Sequence, residues 1–314
     1  MKTVRVATRG SDLALAQAHY VADRIRSELG YEAELVIVST TGDRIQNVSL
    51  AKIGGKGLFI KEIEEALLDD RADVAIHSAK DLPSEIAPGL ELVAFPERAD
   101  PRDALVGKAG TTGVETLPQG ARVGTGSTRR AALLLATRPD LEIVPLRGNV
   151  PTRLARLESD DLQAVVLACA GLDRLGLDST ISERISPDLL LPAVCQGMLA
   201  LESRQGDPLG EDLARLSVPE NLVAARAERG FLTRLGGDCT VPLAAHCEIQ
   251  PQGGVRLRGL VSSLSGQEIV RDEIEGPAEE AASLGRLLAE RVLGDGGDAI
   301  LEELRRVAME EDRP

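Results

Sequence analysis

Three times this chain runs a short apolar strand into a tight turn and straight on into a helix, and that recurrence confines it to the α/β folds. The first unit is a strand over residues 4–7, the turn Thr8-Arg9-Gly10-Ser11, and a helix. In that helix Ala14, Ala18, Val21, Ile25 and Leu29 keep helical spacing as far as Gly30. In the second, Val123-Gly124 ends a strand, Thr125-Gly126-Ser127 turns, and residues 131–136 are helical with Ser127 as N-cap. The third is a strand over 143–146, the turn Arg147-Gly148-Asn149, and a helix from about Pro151. Such turns present bare backbone N–H groups and the positive end of a helix dipole, which together favour an anion. In open α/β sheets the crevice outside the carboxyl ends of the strands is where ligands sit.

Arginine marks each of these turns. Between Arg122 and Arg156 stand Arg122, Arg129, Arg130, Arg138, Arg147, Arg153 and Arg156 against only Asp140 and Glu142, a net of +5 in a chain whose total is −14. The rest therefore sums to −19. Any single one of these arginines reads equally well as a solvated helix face. Placed together at two neighbouring strand ends, they point to planar, bidentate recognition of carboxylates or phosphates. Arg129 and Arg130 oppose the dipole of their own helix, and a bound anion is expected to offset that cost.

Further strands are expected over 34–38, 73–79, 90–95 and 164–168, with a helix over 59–68. The charged, proline-bearing segment 96–103 reads as a boundary, residues 192–198 as the return crossing, and 198–202 as a strand rejoining the first unit. A helix over 219–235, three alternating stretches (244–249, 255–261, 268–273) and helices over 278–293 and 298–309 make a small α+β unit. The expected domains are 1–97 with 198–216, 98–197, and 217–314.

Other chemistries are disfavoured. Glycine is missing from the last position of a G-x-G-x-x-G fingerprint, which Arg129 occupies. The glycine-rich stretch 52–57 lacks the Ser/Thr and the preceding strand of a phosphate loop. Cys239, His246 and Cys247 fit no metal spacing, so no metal is expected. Net acidity with 2% aromatics argues against nucleic acid. No apolar run is long enough for a membrane span, and four scattered cysteines suit a reducing cytoplasm. Cys239 alone reads as a small buried thiol. Lys80-Asp81, at the end of the 73–79 strand, reads either as a surface ion pair or as a carboxylate held beside a cation for acid–base work.

Nine segments in order carry a resemblance: ATRGSDLALAQ (7–17), AKIGGKGLFIKEIEEALL (51–68), DVAIHSAKDLP (73–83), DPRDALV (100–106), VGTGSTRR (123–130), LRGNVPTRL (146–154), LACAGLDRLGL (167–177), LPAVCQG (191–197) and GGDCTVP (236–242). Through them the chain resembles the hydroxymethylbilane synthase (porphobilinogen deaminase) family of tetrapyrrole biosynthesis. The resemblance implies two α/β lobes like those of type II periplasmic binding proteins, plus a small α+β C-terminal domain. It implies a monomeric cytoplasmic transferase that joins four porphobilinogen units and releases ammonia each time. Its dipyrromethane cofactor would be thioether-linked to Cys239. Asp81 would be the catalytic carboxylate. Lys80, Asp81, Thr125, Ser127, Arg129, Arg130 and Arg147 would bind the cofactor. Arg9, Ser11, Lys52, Lys56, Arg147, Arg153, Arg174 and Gln196 would bind substrate, with Lys52 and Lys56 on a lid. Departures are Gly126 for a usual serine, Cys195 for a usual glycine in the return crossing, and Asp238 for a usual glycine beside Cys239. The competing reading is a non-enzymatic two-lobed anion-binding protein, which the arginines alone would equally support.

Overall fold

A computed structural model of the chain describes residues 3–44, 60–236 and 241–311. The first lobe opens with β1 (Thr3–Thr8) and α1 (Asp12–Arg24), which Ser11 caps by accepting from the Ala14 N–H at 3.4 Å. A single π-helical turn then ends at Gly30 in the left-handed region. There follow β2 (Glu32–Ile37), the short helix α2 (Thr41–Arg44), α3 (Lys61–Leu68), β3 (Val74–Ser78) and β4 (Leu90–Ala94). The second lobe comprises β5 (Asp103–Gly107), β6 (Arg122–Thr125), α4 (Thr128–Thr137), β7 (Glu142–Pro145), α5 (Val150–Ser159), β8 (Ala164–Ala168), α6 (Cys169–Arg174) and β9 (Glu183–Ile185). The chain returns through β10 (Leu199–Arg204) and α7 (Pro208–Ala214) to the first sheet. Last come α8 (Pro219–Leu235), β11 (Leu243–Ile249), β12 (Gly254–Ser262), β13 (Ile269–Pro277), α9 (Ala281–Val292) and α10 (Asp298–Glu311).

The two lobes share one topology. Their sheets run β2-β1-β3-β10-β4 and β7-β6-β8-β5-β9. In each, three neighbouring strands are parallel and the fourth is antiparallel. That fourth strand is the one delivered by a crossing between lobes: β5 on the way out and β10 on the way back. The apolar run of β8 is buried on both faces, as a central parallel strand requires. Strand β5 was not foreseen from the sequence, because its short Ala-Leu-Val core follows a charged segment that reads as linker. The third unit is a three-stranded antiparallel sheet, β11-β12-β13, packed on α8 and α9.

The crossings lie side by side. Ala99 N–H donates to Gly197 O at 3.1 Å, and Arg98 Nε to Gln196 O at 2.9 Å. Gly197 has φ 88, and a Cβ there would sit 2.4 Å from Ala99 O. Gly197→Ala is therefore expected to force the crossings apart and cost about 1–3 kcal/mol, measurable as a lowered thermal midpoint; an unchanged midpoint would contradict the packing. Cys195 keeps φ 56, a conformation that favours glycine. Glu228 of α8, fully buried, accepts from Arg98 Nη1 at 2.7 Å, the Cys195 N–H at 2.5 Å and the Cys247 N–H at 2.9 Å. One carboxylate thus clasps both crossings to the third unit. Burial works against its charge, but Arg98 and His246 outweigh it and hold the Glu228 carboxyl below the usual range.

Candidate active site

At the carboxyl end of β3 a single 3-10 turn, Ala79–Asp81, sets out two charges: Lys80 half-buried and Asp81 exposed. Strand β1 lies parallel beside β3, so its following residue Arg9, half-buried, and the capping Ser11 belong to the same edge. In the second lobe the parallel neighbours β6 and β7 end at Thr125 and Pro145. Thr125 Oγ1 accepts from the Ser127 N–H at 3.3 Å, and Ser127 Oγ accepts from the Arg130 N–H at 3.4 Å. Asn149 caps α5 by accepting from Thr152 N–H at 2.9 Å, with Arg153 one turn in.

The edges of the two lobes act on each other. Burial, Arg130 and Arg147 lower the Arg153 pKa to about 10, while the Asp81 charge raises it. Burial and Arg130 likewise lower Lys80 to about 8, against the raising effects of Asp81 and Asp103. The charge of Asp81 in one lobe therefore reaches Arg153 in the other, which Arg130 and Arg147 also influence.

The arginine island then sorts itself. Arg122, Arg138 and Arg156 pair with Glu142, Asp140 and Asp160 and are outer-surface or loop contacts. Arg129 and Arg130, 3% and 5% exposed, turn inward onto Asp103 at the start of β5, which is wholly buried. Arg129 Nη1 donates to Asp103 Oδ2 at 2.8 Å and to Leu191 O at 2.7 Å. Arg130 Nε donates to Asp103 Oδ1 at 2.9 Å and its Nη1 to Val166 O at 3.2 Å. Asp103 offsets these two cations only in part, one carboxylate against two guanidinium groups, and the buried Arg129 Nε has no partner among the described residues. Burial disfavours the Asp103 charge, yet the two guanidinium groups outweigh it and hold the carboxyl far below its usual range.

Arg147 and Arg153 are left. Arg147 forms no hydrogen bond or ion pair with the described residues. Arg153 has a buried Nε without a partner among the described residues, and it lies over Gly126, where a Cβ would meet Leu146 O at 2.4 Å and approach Arg153 Nη2 at 3.9 Å. Arg174 Nη2 donates to Gly197 O at 2.8 Å, and burial lowers its pKa. Lys52, Lys56 and Cys239 lie outside the described residues. Sequence reasoning missed Asp103, whose position before a short apolar run was the available signal. A concavity of about 620 Å³ elsewhere on the second lobe is lined by Glu115, Glu183 and Asp188 without a cation, and so repels carboxylates.

Two family models match this sequence: "Porphobilinogen deaminase, dipyromethane cofactor binding domain" over residues 4–211, and "Porphobilinogen deaminase, C-terminal domain" over residues 222–294. The chain belongs to the porphobilinogen deaminase family. The porphobilinogen deaminase of Pelobacter propionicus is 48% identical over 305 residues, covering 96% of this chain and 97% of that one. That of Syntrophotalea carbinolica is 49% identical over 303 residues, covering 96% of each. A periplasmic substrate-binding protein of an ABC transporter from Coxiella burnetii aligns in structure over 68% of this chain and 91% of its own, at 15% identity and a TM-score of 0.42. The part of the porphobilinogen deaminase family that binds the dipyrromethane cofactor spans both lobes, and with them Asp81, Arg147 and Arg153. The C-terminal match takes in the Gly-Gly-Asp-Cys sequence at 236–239.

Proposed function

We propose that this chain is a hydroxymethylbilane synthase. It adds four porphobilinogen units head to tail to a covalent dipyrromethane primer on Cys239, releases ammonia at each addition, and frees the linear tetrapyrrole by hydrolysis. The observation that supports this reading is the match to the dipyrromethane cofactor binding domain over residues 4–211, within which the charge of Asp81 acts on Lys80 and, from the other lobe, on Arg153. Residues 1–97 with 198–216, 98–197 and 217–314 would act as its three domains.

The donor set suits the group. Each pyrrole ring carries an acetate and a propionate, so the site needs N–H donors beyond those its own acids use. Arg147 and the unbonded Arg153 Nε are such donors. When bound, the dipyrromethane supplies the pyrrole carbon to which the first unit is joined. Arg147, Arg153 and Lys80, with Arg9, Arg174 and the hydroxyls of Ser11, Thr125 and Ser127, hold the carboxylates. Arg129 and Arg130 act from behind, as buried charge. Asp81 accepts from pyrrole N–H groups, offsets the cation left when porphobilinogen loses ammonia, and carries the proton that must leave. Its exposure leaves a route for that proton to water. A protein that only captured anions would gain nothing from an exposed carboxylate among its cations, and this favours the enzyme.

Incubation with porphobilinogen tests the proposal: ammonia and a linear tetrapyrrole are expected, and an unconsumed substrate would contradict it. The pH dependence is a second check. Lys80 loses its charge as pH rises through about 8, so the KM for porphobilinogen is expected to rise there. An unfolded lysine titrates higher, at 10.5. Between the two values the unfolded chain holds more protons, and on Lys80's account stability rises with pH. Weaker binding at pH 9 with no fall in thermal midpoint is the expected result; a KM flat from pH 7 to 9 would remove Lys80 from the carboxylate site.

A further inference from the structure

Gln196 lies on the returning crossing, 1% exposed, between two left-handed residues, Cys195 at φ 56 and Gly197 at φ 88. Two such angles in three residues fold the backbone back on itself and fix where the side chain between them points. Its amide is fully engaged. Nε2 donates one hydrogen to Pro101 O at 2.7 Å and the other to Asp103 Oδ1 at 2.9 Å, while Oε1 accepts from Lys80 Nζ at 3.3 Å. Its backbone N–H donates to Ala193 O at 2.9 Å, and its carbonyl accepts from Arg98 Nε at 2.9 Å. A primary amide has two hydrogens to give, and both are used inside the protein. None remains for a carboxylate, although the family resemblance groups Gln196 with the residues that bind substrate.

We propose that Gln196 is a positioning residue for Lys80. Its amide is a strut that ties the ammonium of the first lobe to the buried Asp103–Arg129–Arg130 cluster of the second, and so fixes that cation beside Asp81. The proposal rests on the synthase reading for what Lys80 grips, but not for the strut itself. Lys80 faces two cations, Arg129 and Arg130, and two anions, Asp81 and Asp103. On a flexible four-carbon stem, its place among them is undefined without an acceptor to hold it. A single charge-assisted hydrogen bond is what the strut contributes.

A double-mutant cycle tests this. Methionine keeps the length of glutamine and removes its hydrogen bonds. Gln196→Met is expected to lower kcat/KM for porphobilinogen about tenfold in the wild-type background, and less than about twofold in Lys80→Met. Equal losses in both backgrounds would show that Gln196 touches substrate directly and would overturn the proposal. Should Gln196→Met fold poorly, Gln196→Asn gives the second reading: it keeps the amide but is one methylene too short to span from Asp103 to Lys80, so it should lower kcat/KM in the wild-type background and not in Lys80→Met, and equal losses in both would overturn the strut. The titration of the Lys80 Cε resonance in specifically labelled protein needs no substrate. Its midpoint is expected near 8 in the wild type and lower in Gln196→Met, and an equal midpoint in both would sink the strut. Failure of the wild type to consume porphobilinogen would instead sink the synthase reading, and the Lys80 titration would still decide the strut.

Discussion

Asp81→Asn is expected to leave the fold intact and to slow porphobilinogen turnover by about 10²- to 10⁴-fold, the range of a lost general acid–base group. The amide keeps the shape of the carboxyl but can neither carry a negative charge nor pass a proton. Asp81 is exposed at the end of its 3-10 turn, so its loss opens no cavity, and the thermal midpoint should hold within a degree or two. The substitution also removes the charge that raises the pKa values of Lys80 and Arg153. Both therefore fall, and the alkaline rise in KM begins at lower pH. Turnover within about twofold of wild type would deny Asp81 the role proposed for it.

Asp103→Asn is expected to act on the fold instead. It leaves Arg129 and Arg130 charged, buried and facing an amide. Breaking a buried pair by removing one partner costs about 3–5 kcal/mol, here with two cations orphaned at once. The thermal midpoint should drop on the order of 10 °C. The pH dependence has a definite sign. The folded-state pKa of Asp103 is depressed below the unfolded 3.8. Its contribution is therefore fully present above about pH 4 and is lost only as pH falls further. The gap between wild type and Asp103→Asn should stay constant from pH 7 to about pH 5. A midpoint unchanged at pH 7 would mean the arginines find another anion.

How far the chain could be read in advance follows from the range of the interactions involved. Helix α8 and strand β8 were legible to the residue, because a proline start, a glycine stop and a continuous apolar run are local signals. The caps at Ser11 and Ser127 were legible for the same reason. What failed was non-local. The inward pairing of Arg129 and Arg130 was missed because Asp103 sits 26 and 27 residues away, in a segment that reads as linker. No local feature of the sequence marks Glu228. It is buried because three groups distant in sequence converge on it. The shared topology of the lobes left no repeat in the sequence, since a sheet order constrains where apolar residues fall and not which they are. The turn that carries Arg147 and the helix start that carries Arg153 were legible because strand end and Asn149 cap are local signals.

The central claim is that a positively lined cleft holds a growing polyanion anchored to one sulfur. Intact-mass measurement of the purified protein tests it most directly. The wild type should exceed the mass of its sequence by two pyrrole units, and Cys239→Ser should lack the excess. A folded wild-type protein that consumes porphobilinogen at its bare sequence mass would contradict the account.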